Sequence, residues 1–316
     1  MRVKKVSLYI ILGTLLFSSM EIVLKLAGST FHPLQLNLIR FTIGAFVLLP
    51  FAWHRLRQQK RHIVWKDGLL FAITGFICVI VSMTFFQLAI EQTKASTVAV
   101  LFSCNPLFAI VFALVFLKEK ITRITTISLS LSIIGLLFIV NPFELHDGLG
   151  ITFALLAAAT FGLYSILSRW GSKGRGFNGL TMTCFTFFAG AFELLLLIGL
   201  THIPFIKSAL SSHKQLAEFA AIPIFQGISS ETLLLLLYIG IFVTGGGFAF
   251  YFLAMEASSV SMAALVFFIK PGLAPLLALL ILNEVITKNT IIGICIILAG
   301  SCLTFIGETK QKSSRV

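Results

Sequence analysis

Apolar residues occur in this chain in runs of about twenty, the length at which a helix spans the hydrocarbon of a bilayer. Ten such windows follow one another, at roughly 7–27, 34–52, 68–89, 96–117, 124–141, 150–168, 179–200, 232–253, 259–282 and 289–307. No water reaches the hydrocarbon to bond a free backbone group, so runs of this kind cross a membrane as helices. The surplus is too large for a soluble core. The chain is 58% hydrophobic and 11% charged over 316 residues, whereas a soluble domain averages about 45–50% apolar and about 25% charged. Mean hydropathy is +1.01. The expected fold class is an all-α membrane protein of ten transmembrane helices.

Most connections are short, and the exception is 201–231. Its stretch IKSALSSHKQLAEFAAI spaces its apolar residues roughly as a helix lying on the membrane surface would, and it reads equally as a solvated loop. The N-terminal MRVKKVSLYIILGTLLF has the basic-then-apolar form of a signal peptide. Its apolar character runs on to Ala27, so an uncleaved first helix is expected.

Lys and Arg in alternate loops set the direction of insertion, with the basic side cytoplasmic. With the N-terminus inside, seventeen of the 24 basic residues fall on the cytoplasmic side. Lys94, Lys207, Lys214 and Lys288 fall outside, and Lys25, Arg40 and Lys270 lie within spans. Both termini are therefore expected in the cytoplasm, with 308–316 a short basic tail. The net charge of +12 is explained by topology. Anionic lipid headgroups are the available partner, and no loop is long enough to build a basic nucleic-acid-binding domain. The five cysteines are odd in number, lie in apolar runs and form no CxxC pair, so neither a disulfide framework nor a metal site is indicated. No motif calls for a cofactor.

Sliding the chain by 165 residues lays TFFQLAIEQTKASTVAVLFSCNPLFAIVFALVFLKEKIT on AFYFLAMEASSVSMAALVFFIKPGLAPLLALLILNEVIT without a gap. Shared greasiness would match leucines. It would not also match Glu91 with Glu256, Ser96 with Ser261, Pro106 with Pro271, Glu119 with Glu284, Thr122 with Thr287 and Gly135 with Gly300. Gly44-Ala45-Phe46 resembles Gly190-Ala191-Phe192 at a different offset. The chain thus reads as two five-helix repeats, 1–141 and 150–307. Five is odd, so the second enters the bilayer with opposite polarity, the inverted-repeat plan of secondary transporters.

The ten spans, the duplicated pattern of Pro, apolar and small residues and then Glu-x-Ile/Val-Thr, and the closing Gly135 and Gly300 resemble the EamA-type ten-helix members of the drug/metabolite transporter superfamily. The likeness covers nearly the whole chain and is strongest in the fourth, fifth, ninth and tenth spans. It implies movement of a small metabolite such as an amino acid or a related zwitterion or anion across the cell membrane, more often outward, and it fixes no substrate.

Charges inside the spans are the candidate chemistry. Lys270 sits mid-span, where a charged lysine costs about 2.5–3.5 kcal/mol on insertion scales. It must face a protein-lined, wet cavity or lose its proton. Pro271 and Pro275 follow it and deprive the carbonyls of Phe267 and Pro271 of their helical partners. Cation and kink together point to a site for an anionic group, and a lysine that merely locks two helices through a carboxylate is the structural reading. The repeat mate of Lys270 is the neutral Asn105, beside Pro106. Glu21 and Lys25 share a helix face and either pair with each other, or Glu21 titrates as a proton carrier or neutralises Lys270. Arg40, with Asn37 and Gln35 nearby, binds a substrate anion or pairs with Glu21. Glu193 is an intramembrane acid with no partner visible in the sequence, and Tyr164 and Ser165 line a cavity if they align with Met20 and Glu21. The alanine pairs 109/113 and 274/278 and the run Gly245-Gly246-Gly247 are packing features, and Glu119 and Glu284 cap or anchor span ends.

No Walker-type motif is present, so energy would come from an ion gradient, with protons a candidate, or from the solute's own gradient. The alternative is a channel or regulatory membrane scaffold without coupled transport. An enzyme is not expected, because all six histidines lie in connections or at span edges with no metal-binding spacing.

Overall fold

The computed structural model describes residues 2–117, 123–140, 147–214, 216–257 and 260–313, and among them it contains helices and no strand. The first two spans are α1 (Arg2–Gly28) and α2 (Pro33–Gln58). His32 caps α2 through its ring Nδ1, which accepts from the Leu34 amide, and Pro33 occupies the first turn, where a missing N–H costs nothing. The third span is α3 (Trp65–Gly75), a π-helical stretch Phe76–Ser82, and α4 (Met83–Gln92); the fourth is α5 (Ala95–Phe102) and α6 (Asn105–Leu117). Then follow α7 (Arg123–Val140), α8 (Gly148–Arg175), α9 (Gly179–Thr201) and the short α10 (Pro204–Ser212). The eighth span is α11 (Ser230–Leu237), a second π-helical stretch Tyr238–Gly246, and α12 (Gly247–Ala257). The chain ends with α13 (Val260–Leu282) and α14 (Lys288–Ser313).

All ten windows are thus helical within the described residues. Seven are long and apolar enough to cross a membrane, and Ile269–Leu282 and Lys288–Gly300 are shorter apolar helices. Where the helices break differs from expectation. Lys270-Pro271 is the expected kink, yet α13 runs through Pro271 and Pro275 as one helix. The break falls instead in the fourth span, at Ser103-Cys104. Pro106 cannot donate to the Phe102 carbonyl four residues back, and the Asn105 side-chain amide takes that carbonyl instead, at 2.8 Å. A side chain able to bond its own backbone competes with the helix; Lys270, its repeat mate, turns its ammonium elsewhere.

The surface helix expected in 201–231 is confined to α10 and a single turn at Ala217–Phe219. The remainder folds back over the end of α2. Gln35 donates to the carbonyls of Ile224 (3.1 Å) and Gln226 (2.7 Å), and the His202 ring bonds the Ile222 carbonyl at 2.8 Å.

Packing repeats between the halves. The second span packs on the seventh (α2 on α9), the fifth on the tenth (α7 on α14) and the fourth on the ninth (α5 on α13), each against its own repeat mate. Other contacts come in matched pairs: α4 on α8 corresponds to α12 on α1, and α6 on α8 to α13 on α1. The weakly similar Gly44 and Gly190 fall at matching places too. A Cβ on Gly190 would stand 2.6 Å from Val79, beside Gly75 and within one π-helical stretch, and a Cβ on Gly44 would stand 2.8 Å from Thr244 in the other. Small residues let membrane helices approach closely, and Gly162 against the Ala109 backbone uses the alanine pair of the fourth span in this way.

The contact between Gly75 and Gly190 is backbone on backbone, and a Cβ on Gly75 would lie 2.5 Å from the Gly190 nitrogen. Neither helix can yield by rotating a side chain. Gly75→Ala is therefore expected to destabilise the bundle by about 1–3 kcal/mol, read as a lower melting temperature in detergent, whereas Gly68→Ala, inside α3 with open space around it, is expected to hold or slightly raise the melting temperature.

Candidate functional site

One face of α1 carries Thr14, Ser18, Glu21 and Lys25, at intervals of four, three and four residues that stack side chains on a helix. Glu21 is fully buried, and from α13 the equally buried Lys270 meets it, with Nζ 2.6 Å from Oε1. The distance is that of an ion pair, and neither the ammonium nor the carboxylate has a hydrogen bond of good geometry. Opposite charge offsets the cost of withdrawing each ion from water. Lys270 is thus buried against a carboxylate rather than turned toward the surface. The ammonium also stands 5.4 Å from the centre of the Phe102 ring, at the end of α5.

Arg40 reaches the same region from α2 and is 1% exposed. Its Nε donates to Asn37 Oδ1 at 2.9 Å, one turn away, and its guanidinium lies 4.5 Å over the Phe41 ring. Its Nη1 reaches the Met20 sulfur at 3.9 Å, next to Glu21, and no salt bridge closes between Arg40 and Glu21 among the described residues. Arg40 Nη2 and Asn37 Nδ2 are buried donors without an acceptor, the hydroxyls of Thr14 and Ser18 are buried without a hydrogen bond, and Thr183 on α9 is buried beside the Tyr164 hydroxyl. An unpaired buried polar group costs about 1–3 kcal/mol, so several on neighbouring helices make this region a candidate site.

The other candidates separate. Lys25 does not pair with Glu21. Its Nζ donates to the carbonyls of Ile90 and Thr93, both at 2.6 Å, tying α1 to the end of α4. Tyr164 is buried with its ring 5.3 Å from Phe161, which lies 5.1 Å from Phe102, so it belongs to an aromatic wall that ends beside Lys270. The Asn105 amide is occupied by the Phe102 carbonyl. Glu193, ten residues beyond Thr183 and so about 15 Å further along α9, is not brought into the cluster; its Oε2 is buried without a partner and its neighbour Phe192 is exposed. Glu284 caps a span as expected, while Glu119 lies outside the described residues.

Ser18 and Thr14 carried a legible signal, because they continue the Glu21–Lys25 face. Thr183, and Gln87 on α4, whose two amide atoms are buried without a partner, gave none, since nothing local distinguishes a buried Thr or Gln from others in an apolar span. Beyond the cluster, a cavity of about 380 Å³ opens at the Lys/Arg-poor end, lined by Lys25, Glu91, Gln92, Thr93, Lys94, Asp147, Leu282 and Glu284.

A helical bundle with several membrane-crossing spans, matched packing of its halves and a buried ion pair defines a multi-pass membrane protein. A family model described as "EamA-like transporter family" matches residues 4–141 and again 148–306, and the chain belongs to that family; it is a transporter. It is 36% identical to an uncharacterized transporter of Clostridium kluyveri, over 97% of this chain and 95% of that one. It is 27% identical to the uncharacterized transporter YoaV of Bacillus subtilis (98% and 99%), and 22% identical to an S-adenosylmethionine uptake transporter of Rickettsia prowazekii (93% and 90%). A solved crystal structure superposes with a TM-score of 0.63 at 17% identity, over 98% of this chain and 99% of that one, which supports the fold alone.

The pair is tested by removing its members singly and together. Lys270→Met leaves the Glu21 carboxylate buried without its partner, and a loss of about 3–5 kcal/mol is expected, seen as a lower melting temperature. Glu21→Gln does the same to Lys270. The double variant Glu21→Gln/Lys270→Met is expected to recover most of the loss; a double variant as unstable as the sum of the singles would show that the two do not interact.

Proposed function

We propose that the protein is a secondary transporter for a small metabolite bearing a carboxylate, such as an amino acid or related zwitterion or anion, working by alternating access. One observation carries the reading: Arg40, which reaches Met20 next to Glu21, and Asn37 are buried near the Lys270–Glu21 pair with the donor atoms Arg40 Nη2 and Asn37 Nδ2 unspent. A solute carboxylate supplies both the missing charge and the missing acceptors, and Arg40 offers it a planar, fixed set of donors. The serine and threonine hydroxyls on α1 and α9 then face the solute's other polar end. The activity named for the Rickettsia relative is in keeping with this, since S-adenosylmethionine has an amino-acid head. The closed central pair fits a carrier better than an open pore.

In this reading the ten helices all cross the membrane, the two five-helix halves run in opposite directions, and the Lys/Arg-rich end with both termini faces the cytoplasm of a bacterial cell membrane. Glu21 links solute to protons: a solute carboxylate that takes over Lys270 releases Glu21 to accept a proton, and loss of that proton restores the pair. Export is the direction the family resemblance favours.

The solute is to be found by a thermal-shift screen of amino acids and other small carboxylates on purified protein, followed by uptake into proteoliposomes. Glu21→Gln/Lys270→Met, although folded, is expected to transport nothing. Arg40→Lys is expected to raise KM by roughly tenfold or more, as the forked geometry is lost. Glu21→Gln alone is expected to lose dependence on an imposed pH gradient; full dependence in that variant removes Glu21 from the coupling role, and normal transport by the double variant removes the site.

A further inference from the structure

At the Lys/Arg-poor end of the bundle, α13 stops at Asn283, whose φ of +54° is the left-handed conformation asparagine tolerates. The Glu284 amide then bonds back to the Ala278 carbonyl at 3.3 Å, turning the chain out of the helix. The Glu284 side chain crosses to the fourth span. Its Oε1 accepts from the Ala95 amide at 2.8 Å, and its Oε2 from the Ser96 amide at 3.0 Å and the Ser96 hydroxyl at 2.6 Å. These are the orphan donors of the first turn of α5, and a carboxylate there also meets the positive end of the helix. Lys94 Nζ adds a bond to the Val285 carbonyl at 3.2 Å.

The element held in this way is unusual. α5 is only eight residues long. One end is pinned by Glu284. The other ends at Ser103-Cys104, where the α-helical bonding is interrupted before α6. Its last residue, Phe102, is the ring beside the Lys270 ammonium. α5 therefore connects the Glu284 contact with the central pair as a short rigid lever, and its pinned end forms part of the rim of the 380 Å³ cavity, to which Lys94 and Glu284 both contribute.

We infer that Glu284 is the latch that holds this end of the bundle shut, and that its release from Ala95 and Ser96 lets α5 swing about Ser103-Cys104 and open a way from the cavity to Lys270. The inference rests on the reading of the Lys270 cluster as the transport site. The sequence supplies the counterpart: Glu119 and Ser261 are the repeat mates of Glu284 and Ser96, so the same two residue types recur for the other half.

The test needs no solute. Cys104 is a buried free thiol in the interruption itself, and Cys184, buried between α2 and α9 with Sγ 3.6 Å from the Ala45 carbonyl, is an internal control. Purified protein in detergent is treated with a water-soluble maleimide, and labelling of each cysteine is followed by peptide mass spectrometry. In Glu284→Gln, which keeps one acceptor and loses the charge, Cys104 is expected to react roughly tenfold faster or more, the population shift that corresponds to losing a charge-assisted hydrogen bond. Cys184 should keep its rate. Ser96→Ala, which removes one of the three bonds, should give a smaller increase and decides the matter alone if the Glu284 variant does not fold. Unchanged Cys104 labelling, or an equal rise at Cys184, overturns the latch while leaving the carboxylate site to its own transport test.

Discussion

Hydrocarbon does not solvate a charge, and the centre of this protein is arranged around that fact. Lys270 is affordable only because Glu21 stands 2.6 Å from it, and Glu21 is tolerable only because a cation faces it. The two come from different halves of the chain, α1 and α13, so the contact that neutralises the charge also joins the halves. A pair of this kind is weak evidence for stability, since well-packed apolar residues often do as well. The proposed transport role rests on what lies near it: buried hydroxyls and the donors Arg40 Nη2 and Asn37 Nδ2, which have no acceptor.

The fold was legible wherever the physical constraint was long-range and periodic. Windows of about twenty apolar residues marked all ten helical stretches, because length and greasiness are what a bilayer demands. The register of 165 residues marked which spans correspond, and the structure adds that corresponding spans pack on one another. The interruptions were less legible. Pro271 was the obvious breaker, yet the helix continues through it, and the break sits at the repeat mate, where Asn105 can replace the amide that Pro106 lacks. Proline alone does not decide a break; a neighbouring side chain that satisfies the freed carbonyl does.

For the site, the sequence could show which residues are expensive to bury and could not show who meets whom. Glu21 had three possible cations, and the choice of Lys270 over Lys25 depends on α1 and α13 lying side by side while Lys25 is claimed by the carbonyls at the end of α4. Thr183 and Gln87 are chemically ordinary and become noticeable only when their surroundings leave them unpaired. Glu193 stood out in the sequence as Glu21 did, but the fold leaves it on a different part of its helix.

The two π-helical stretches, Phe76–Ser82 and Tyr238–Gly246, overlap when one half is laid on the other. Each widens its helix by about one residue per turn, which rotates everything beyond it by roughly 100° relative to an unbroken α-helix. In the third span this lets the segment before the widening press against α9 and the segment after it press against α8, so a single rod serves two neighbours lying in different directions. Deleting one residue from either stretch would restore regular winding and misdirect half a rod. Such deletions should be far less tolerated there than at the ends of the same spans, where nothing beyond them needs to be aimed.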